Sequence, residues 1–125
     1  MAGVFDEPYE SLSDRYLDSL LARPEFWAFV ALRSRAVVGG LTAHALQMTT
    51  REAAEVFLYD IAVDRNHQRQ GIGRRLVEAL RFQARAAGIQ VVFVPAENED
   101  IHAIEFYKAL GGSPTDVTFF EFGPA

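Results

Sequence analysis

The chain has 125 residues, half of them hydrophobic, with ten phenylalanines, no cysteine and a formal net charge of −5, which reads as one folded domain spanning 1–125. The lack of cysteine excludes disulfides, thiolate metal sites and a cysteine nucleophile, and the acidic balance argues against nucleic acid while suiting a small cationic partner. Residues 1–9 lack the basic and apolar segments of a signal peptide and no apolar run has membrane-spanning length, so a cytoplasmic protein without a membrane partner is expected. Residues 1–13 are polar and read as loop. Ser13 or Asp14 caps a short helix in which Tyr16, Leu17, Leu20 and Leu21 recur at helical spacing, until Arg23-Pro24 stops it. Phe26–Leu32 reads as a strand, Arg33-Ser34-Arg35 as a turn and Ala36–Leu46 as the antiparallel return. Gly39-Gly40 inside that return marks a bulge or a close backbone approach. After a polar connection, Glu55–Val63 is the longest strand candidate. From Gly71 to Ala87, Ile72, Leu76, Val77, Leu80 and Ala84 form one apolar helical stripe, and Gly88 stands where a left-handed residue closes the helix. Val91–Val94 reads as a buried strand, Ile101–Leu110 as a helix ended by Gly111-Gly112, and Asp116–Phe122 as a final strand. The fold class is mixed α/β.

Between the longest strand and the amphipathic helix lies Gln68-x-x-Gly71-x-Gly73. A Walker loop ends in Gly-Lys-Ser/Thr, and no lysine follows Gly73; a dinucleotide fingerprint has a third glycine where this chain has Leu76. What is left is a turn whose amides from Gln70 to Gly73, flanked by Arg69 and Arg74, point at one anion. An ordinary strand-to-helix turn with a solvated basic face has the same residues, so the turn alone does not decide.

Asp60 lies between Tyr59 and Ile61 in an apolar strand, where an unpartnered charge is costly; its alternatives are a site role and a structural ion pair or hydrogen bond. Glu97, Glu99 and Asp100 follow the strand at Val91–Val94, at the end where ligands gather in open α/β sheets. Asp100 also suits a helix cap. Tyr107 stands two helical turns beyond Asp100 on the same face, as a site residue or as a core aromatic beside Ile104 and Leu110. His67 fits a cap or a phosphate neighbour, His44 and His102 are isolated, and no spacing makes a metal site.

The succession of strand, Gln68–Arg74, amphipathic helix, Gly88, strand and Asp100-x-x-Ala103-Ile104-x-x-Tyr107-Lys108-x-Leu110-Gly111 resembles the GNAT superfamily of acetyl-CoA-dependent N-acetyltransferases, from about Trp27 onward. The resemblance implies a mixed central sheet flanked by helices. It implies that Gln68, Arg69, Gln70, Gly71, Ile72, Gly73 and Arg74 cradle the pyrophosphate of acetyl-CoA. The pantetheine arm would pair with Ile61, Ala62 and Val63, where Glu55–Val63 opens away from Gln90–Val94. Asp100 and Ala103 would contact the cofactor, and the Tyr107 hydroxyl would protonate the departing thiolate.

Val37-Val38-Gly39, Leu58–Val63, His67–Ile72, Asp14–Leu21 and Asp116–Phe122 are further similar to the type I aminoglycoside 3-N-acetyltransferases. That subgroup has a first strand and the beginning of a first helix that this chain begins after. Pro95–Asp100 keeps the subgroup's acidic character without every residue. The implied reaction is direct acetyl transfer in a ternary complex through a tetrahedral intermediate, with strand amides near Ile61–Val63 polarising the carbonyl and Asp60 as general base. Tyr59, Asp60, Glu97, Asp116 and Glu121 would contact a cationic aminoglycoside. A homodimer would cover the sheet edge left by the absent first strand. A polyamine, another small amine or a protein amino group stays open as acceptor, as does a non-catalytic acetyl-CoA-binding module.

Overall fold

The structure is a computed structural model that describes residues 12–124; the expected N-terminal loop therefore lies almost wholly outside the described residues. The chain divides between Pro95 and Ala96 into two units. The first holds α1 (Asp14–Leu21), β1 (Phe26–Arg33), β2 (Ala36–Gln47), β3 (Ala54–Val63), a 3₁₀ turn at Arg65–His67, α2 (Ile72–Ala86) and β4 (Val92–Phe93). The second holds α3 (Ile101–Ala109). The sheet order is β1-β2-β3-β4, with β1, β2 and β3 antiparallel and β4 parallel to β3. Among the described residues, no helix is long and apolar enough to cross a membrane.

Local chemistry explains most of the element boundaries. Ser13 is the cap of α1: its Oγ accepts from the Tyr16 N–H at 3.1 Å. The β1–β2 hairpin turns through Ser34 and Arg35 at φ 49° and 71°, the paired left-handed geometry that suits the right-handed twist of two strands. Neither residue is suited to that region, so the turn holds strain. Replacing the pair by Asn-Gly (Ser34→Asn with Arg35→Gly) is expected to stabilise the fold by about 1 kcal/mol, read as a melting temperature ~3–5 °C higher.

The stripe of α2 is buried as its spacing requires: Ile72, Leu76, Val77, Leu80 and Ala84 all face inward. They pack on the sheet face that carries Leu41, Ala43, Val56, Leu58 and Ile61, and Leu41, Leu80 and Val56 are the largest fully buried side chains. Gly39 explains how close the helix comes. A Cβ there would stand 3.0 Å from Ile72 Cγ2 and 3.4 Å from Leu76 Cδ1. Beside it, Val38 is an extra residue in β2 without a partner in β1, so the glycine pair marks both a bulge and a close approach. Gly88, at φ 78°, ends α2 with the Ile89 N–H donating to Ala84 O and the Gly88 N–H to Arg85 O.

Two expected strands differ. Val91–Val94 contracts to Val92–Phe93, because β3 has only Val56 and Phe57 in register with it and Pro95 brings no N–H to extend a ladder. Asp116–Phe122 is not a strand. Its residues have strand propensity, yet among the described residues no strand pairs with them, and Val117, Phe119, Phe120 and Phe122 are exposed.

Candidate active site

The site is built on the divergence of two parallel strands. β3 is tied to β4 through Val56↔Val92 and Phe57↔Phe93, with the Val56 N–H donating to Val91 O at 2.9 Å. From Leu58 to Val63, β3 continues beside β2 with no residue of β4 in register. Its backbone on that edge is available to an extended ligand that brings its own amides. At the far end the Gln68 Nε2 donates to Val63 O at 3.2 Å, and the Asp64 N–H donates to Val38 O at 2.8 Å. The strand end and the following turn are thus fastened together.

The turn then presents a helix start. Gly71, at φ 79°, is the N-cap of α2 and supplies no side-chain cap, and the helical ladder begins with the Arg75 N–H donating to Gly71 O. The amides of Ile72, Gly73 and Arg74 precede that first bond and point out of the helix start. Ile72 and Gly73 are buried against the sheet, while Arg69, Gln70, Gly71 and Arg74 are exposed. Arg69 itself sits at φ 64°. Directed amides, helix dipole and two guanidinium groups suit a pyrophosphate. His67 is held by the turn's own carboxylate: its Nδ1 lies 3.0 Å from Asp64 Oδ2 in hydrogen-bond contact.

Asp60 owes its orientation to a bulge. Thr42 pairs with Asp60 and Ala43 with Leu58, leaving Tyr59 as an extra residue in β3. Before the bulge Val56 and Leu58 are buried on the side of α2; after it Ile61, Ala62 and Val63 are all buried, and Ile61 is in register with Leu41 of the helix-covered face. Tyr59 and Asp60 therefore share the face turned away from α2, with Thr42 and His44 of β2. Without the extra residue Asp60 would fall into the phase of Leu58 and enter the core. Asp60 is half-buried, and Tyr59 is exposed.

The same face carries rings that sequence reasoning missed. His44 meets Tyr59 edge-on at 5.6 Å and Phe26 at 5.3 Å; Phe57 meets Tyr59 at 5.6 Å and stacks on Phe93 at 5.1 Å. His44, isolated along the chain, belongs to a ladder of rings across four strands. The signal was the broken alternation in Leu58-Tyr59-Asp60-Ile61, which reveals a bulge only when β2 is laid beside it.

In the second unit Asp100 is the N-cap of α3, its Oδ1 accepting from the Ala103 N–H at 3.0 Å. Ala103 is buried, and the half-buried Tyr107 ring lies edge-on to Phe106 at 5.2 Å. Gly111, at φ 96°, closes the helix, with the Gly112 N–H donating to Tyr107 O. Glu97, Asp116 and Glu121 are exposed, the last two in the segment that forms no strand.

The family model of the GNAT acetyltransferases matches residues 2–111. The chain belongs to the GNAT family. Its structure is similar to that of an aminoglycoside acetyltransferase from an uncultured soil metagenomic sample in complex with sisomicin, with a TM-score of 0.89 and 35% identity, covering 98% of this chain and 82% of that one. Among curated proteins it is 32% identical over 95 residues to human (Homo sapiens) N-acetyltransferase 8B, covering 76% of this chain and 41% of the relative. It is also 33% identical over 73 residues to the [Ribosomal protein bS18]-alanine N-acetyltransferase of Escherichia coli (strain K12), covering 58% of this chain and 48% of the relative. The chain thus spans less than half the length of these curated relatives. The GNAT donor is acetyl-CoA, and the residues fit it: the uncapped turn of α2 suits its diphosphate, and the open edge of β3 suits its amide-bearing arm.

Proposed function

We propose that the chain is a single GNAT domain that transfers an acetyl group from acetyl-CoA to an amino group of an aminoglycoside, at the 3-N position. The observation that carries this reading is the opening of β3 from β4 directly before the glycine turn, with Asp60 on the strand that borders it. The similarity to an aminoglycoside acetyltransferase solved with sisomicin supports the acceptor class, and the likeness of Leu58–Val63 and His67–Ile72 to the type I subgroup supports the position.

In this reading Ile61, Ala62 and Val63 pair with the donor's arm while Gln68, Arg69, Gln70, Gly71, Ile72, Gly73 and Arg74 hold its diphosphate. By the likeness of Asp100-x-x-Ala103 to the family's motif, Asp100 and Ala103 are further donor contacts in this reading. When bound, acetyl-CoA supplies an activated acyl carbonyl. An ammonium has no lone pair for attack, so Asp60 accepts a proton from the acceptor nitrogen. The amine nitrogen bonds to the acyl carbon, the carbon–sulfur bond breaks, the sulfur takes a proton from Tyr107, and the proton that the nitrogen releases on becoming an amide restores the Tyr107 hydroxyl by way of solvent. Tyr59, Glu97, Asp116 and Glu121 contribute to acceptor binding. A homodimer is part of this reading, with the sheet edge as the contact.

The test is acetyl-CoA turnover against aminoglycosides, polyamines and peptides with a free N-terminus, with the product's acetylated nitrogen located by NMR. Turnover is expected with aminoglycosides above the other two, at the 3-amino group. Turnover only with peptides would replace the acceptor, and failure to bind acetyl-CoA would overturn the donor site itself.

A further inference from the structure

Between Val63 and Ile72 the backbone is left-handed twice, at Arg69 (φ 64°) and at Gly71 (φ 79°). Glycine takes that region freely and arginine does not, so the conformation at Arg69 persists only where neighbouring bonds hold it. On the α2 side, burial of Ile72 and Gly73 fixes the chain. On the β3 side the fixing groups include Asp64 and His67, neither of which has a part in the acetyl-transfer reading. The Asp64 N–H donates to Val38 O at 2.8 Å, which ties residue 64 to β2, and the His67 N–H donates to Asp64 O at 2.8 Å. Asp64 stands at the N-cap of the 3₁₀ turn, where an aspartate ordinarily accepts a backbone N–H, yet its side chain makes no such bond. Its Oδ2 takes the His67 ring instead, 3.0 Å from Nδ1. An ionised carboxylate only accepts, so Nδ1 carries the proton, and half-burial of both side chains limits the competition from water.

We propose that Asp64 and His67 are positioning residues for the acetyl donor: their side-chain bond braces the turn in its left-handed form before acetyl-CoA arrives. The ring itself touches no donor atom. The lever is preorganisation. A turn without the brace presents the amides of Gln70 and Gly71 beside those of α2 for only part of the time, and the apparent dissociation constant rises by the inverse of that fraction. Loss of one hydrogen bond to a half-buried carboxylate corresponds to an affinity about five- to tenfold weaker. This inference rests on the turn as the diphosphate site and assigns the residues that keep that site formed.

Calorimetric titration of acetyl-CoA on the full chain tests it, together with steady-state kinetics on sisomicin at varied acetyl-CoA; the titration requires no acceptor. Asp64→Ala and His67→Ala are each expected to weaken acetyl-CoA binding about five- to tenfold and to raise its KM in parallel, with kcat at saturating donor within about twofold of wild type. A variant that is simply less well folded binds fewer equivalents at unchanged affinity, so stoichiometry and dissociation constant separate the two causes. The double variant is expected to lose no more than either single one, because both remove the same bond. Asp64→Asn is expected to stay within about twofold of wild type, since its amide oxygen still accepts from the Nδ1–H. Wild-type affinity in both alanine variants overturns the proposal. Loss in His67→Ala alone shows a ring that meets the donor directly and overturns it, as does a double variant whose losses multiply. Asp64→Asn as weak as Asp64→Ala shows that charge acts without the bond and overturns the brace. A wild-type protein that binds no acetyl-CoA overturns the donor site itself, and the brace with it.

Discussion

Asp60→Asn is expected to lower the rate of acetyl transfer by about a hundredfold or more, the range that loss of a general base produces, with the affinity for acetyl-CoA unchanged. The substitution keeps the size of the side chain and its place opposite Thr42, so the bulge and the sheet register are preserved. What it removes is the group proposed to accept the proton. Steady-state kinetics with the aminoglycoside varied, together with equilibrium titration of acetyl-CoA, separate the two effects. A variant that keeps wild-type turnover shows that the acceptor loses its proton to another group or directly to water. One that loses acetyl-CoA affinity as well shows that Asp60 shapes the opening of β3 and not its chemistry.

The second large effect concerns the contact between helix and sheet. Leu80→Ala is expected to destabilise the fold by about 3 kcal/mol, within the range for deleting a core leucine side chain. Leu80 is 0% exposed and lies midway along the buried stripe of α2, between Leu76 and Ala84. Thermal denaturation is expected to show a melting temperature about 10 °C lower. Phe82→Ala, two residues away on the opposite side of the helix and 71% exposed, is expected to melt within a degree or two of the wild type. Equal losses in the two variants would show that the stripe is not what joins α2 to the sheet.

The features legible in the chain were those set by neighbours in sequence. Helical spacing identified each apolar residue of the α2 stripe. A cap at Ser13 or Asp14, of which the structure uses Ser13, and the helix ends at Gly88 and Gly111 were readable because a cap or a left-handed residue is decided within a few positions. The turn at Gly71 was readable for the same reason. What was not legible depends on two segments at once. The extra residue at Tyr59 exists only as an offset between β2 and β3, so the partnership of His44 with Tyr59 had no signature along the chain. Asp116–Phe122 has the residues of a strand, but a ladder requires a second backbone, and propensity does not supply one. Asp60 was found as a charge in an apolar run; its direction was not. The resemblance to GNAT proteins identified the donor through the turn, whose residues are consecutive. The residues proposed for the acceptor side lie on separate segments of the chain.

The brevity of the β3–β4 ladder has a consequence for how the protein opens. β4 is held by a two-residue register and the Phe57–Phe93 stack, whereas β1, β2 and β3 share long ladders over the helix-covered core. The free energy needed to release β4 is therefore a fraction of that needed to melt the rest of the sheet. Thermal fluctuations are expected to concentrate at the gap proposed to admit the acyl donor, and a molecule bridging that gap would act as a splint, joining a labile margin to a rigid centre.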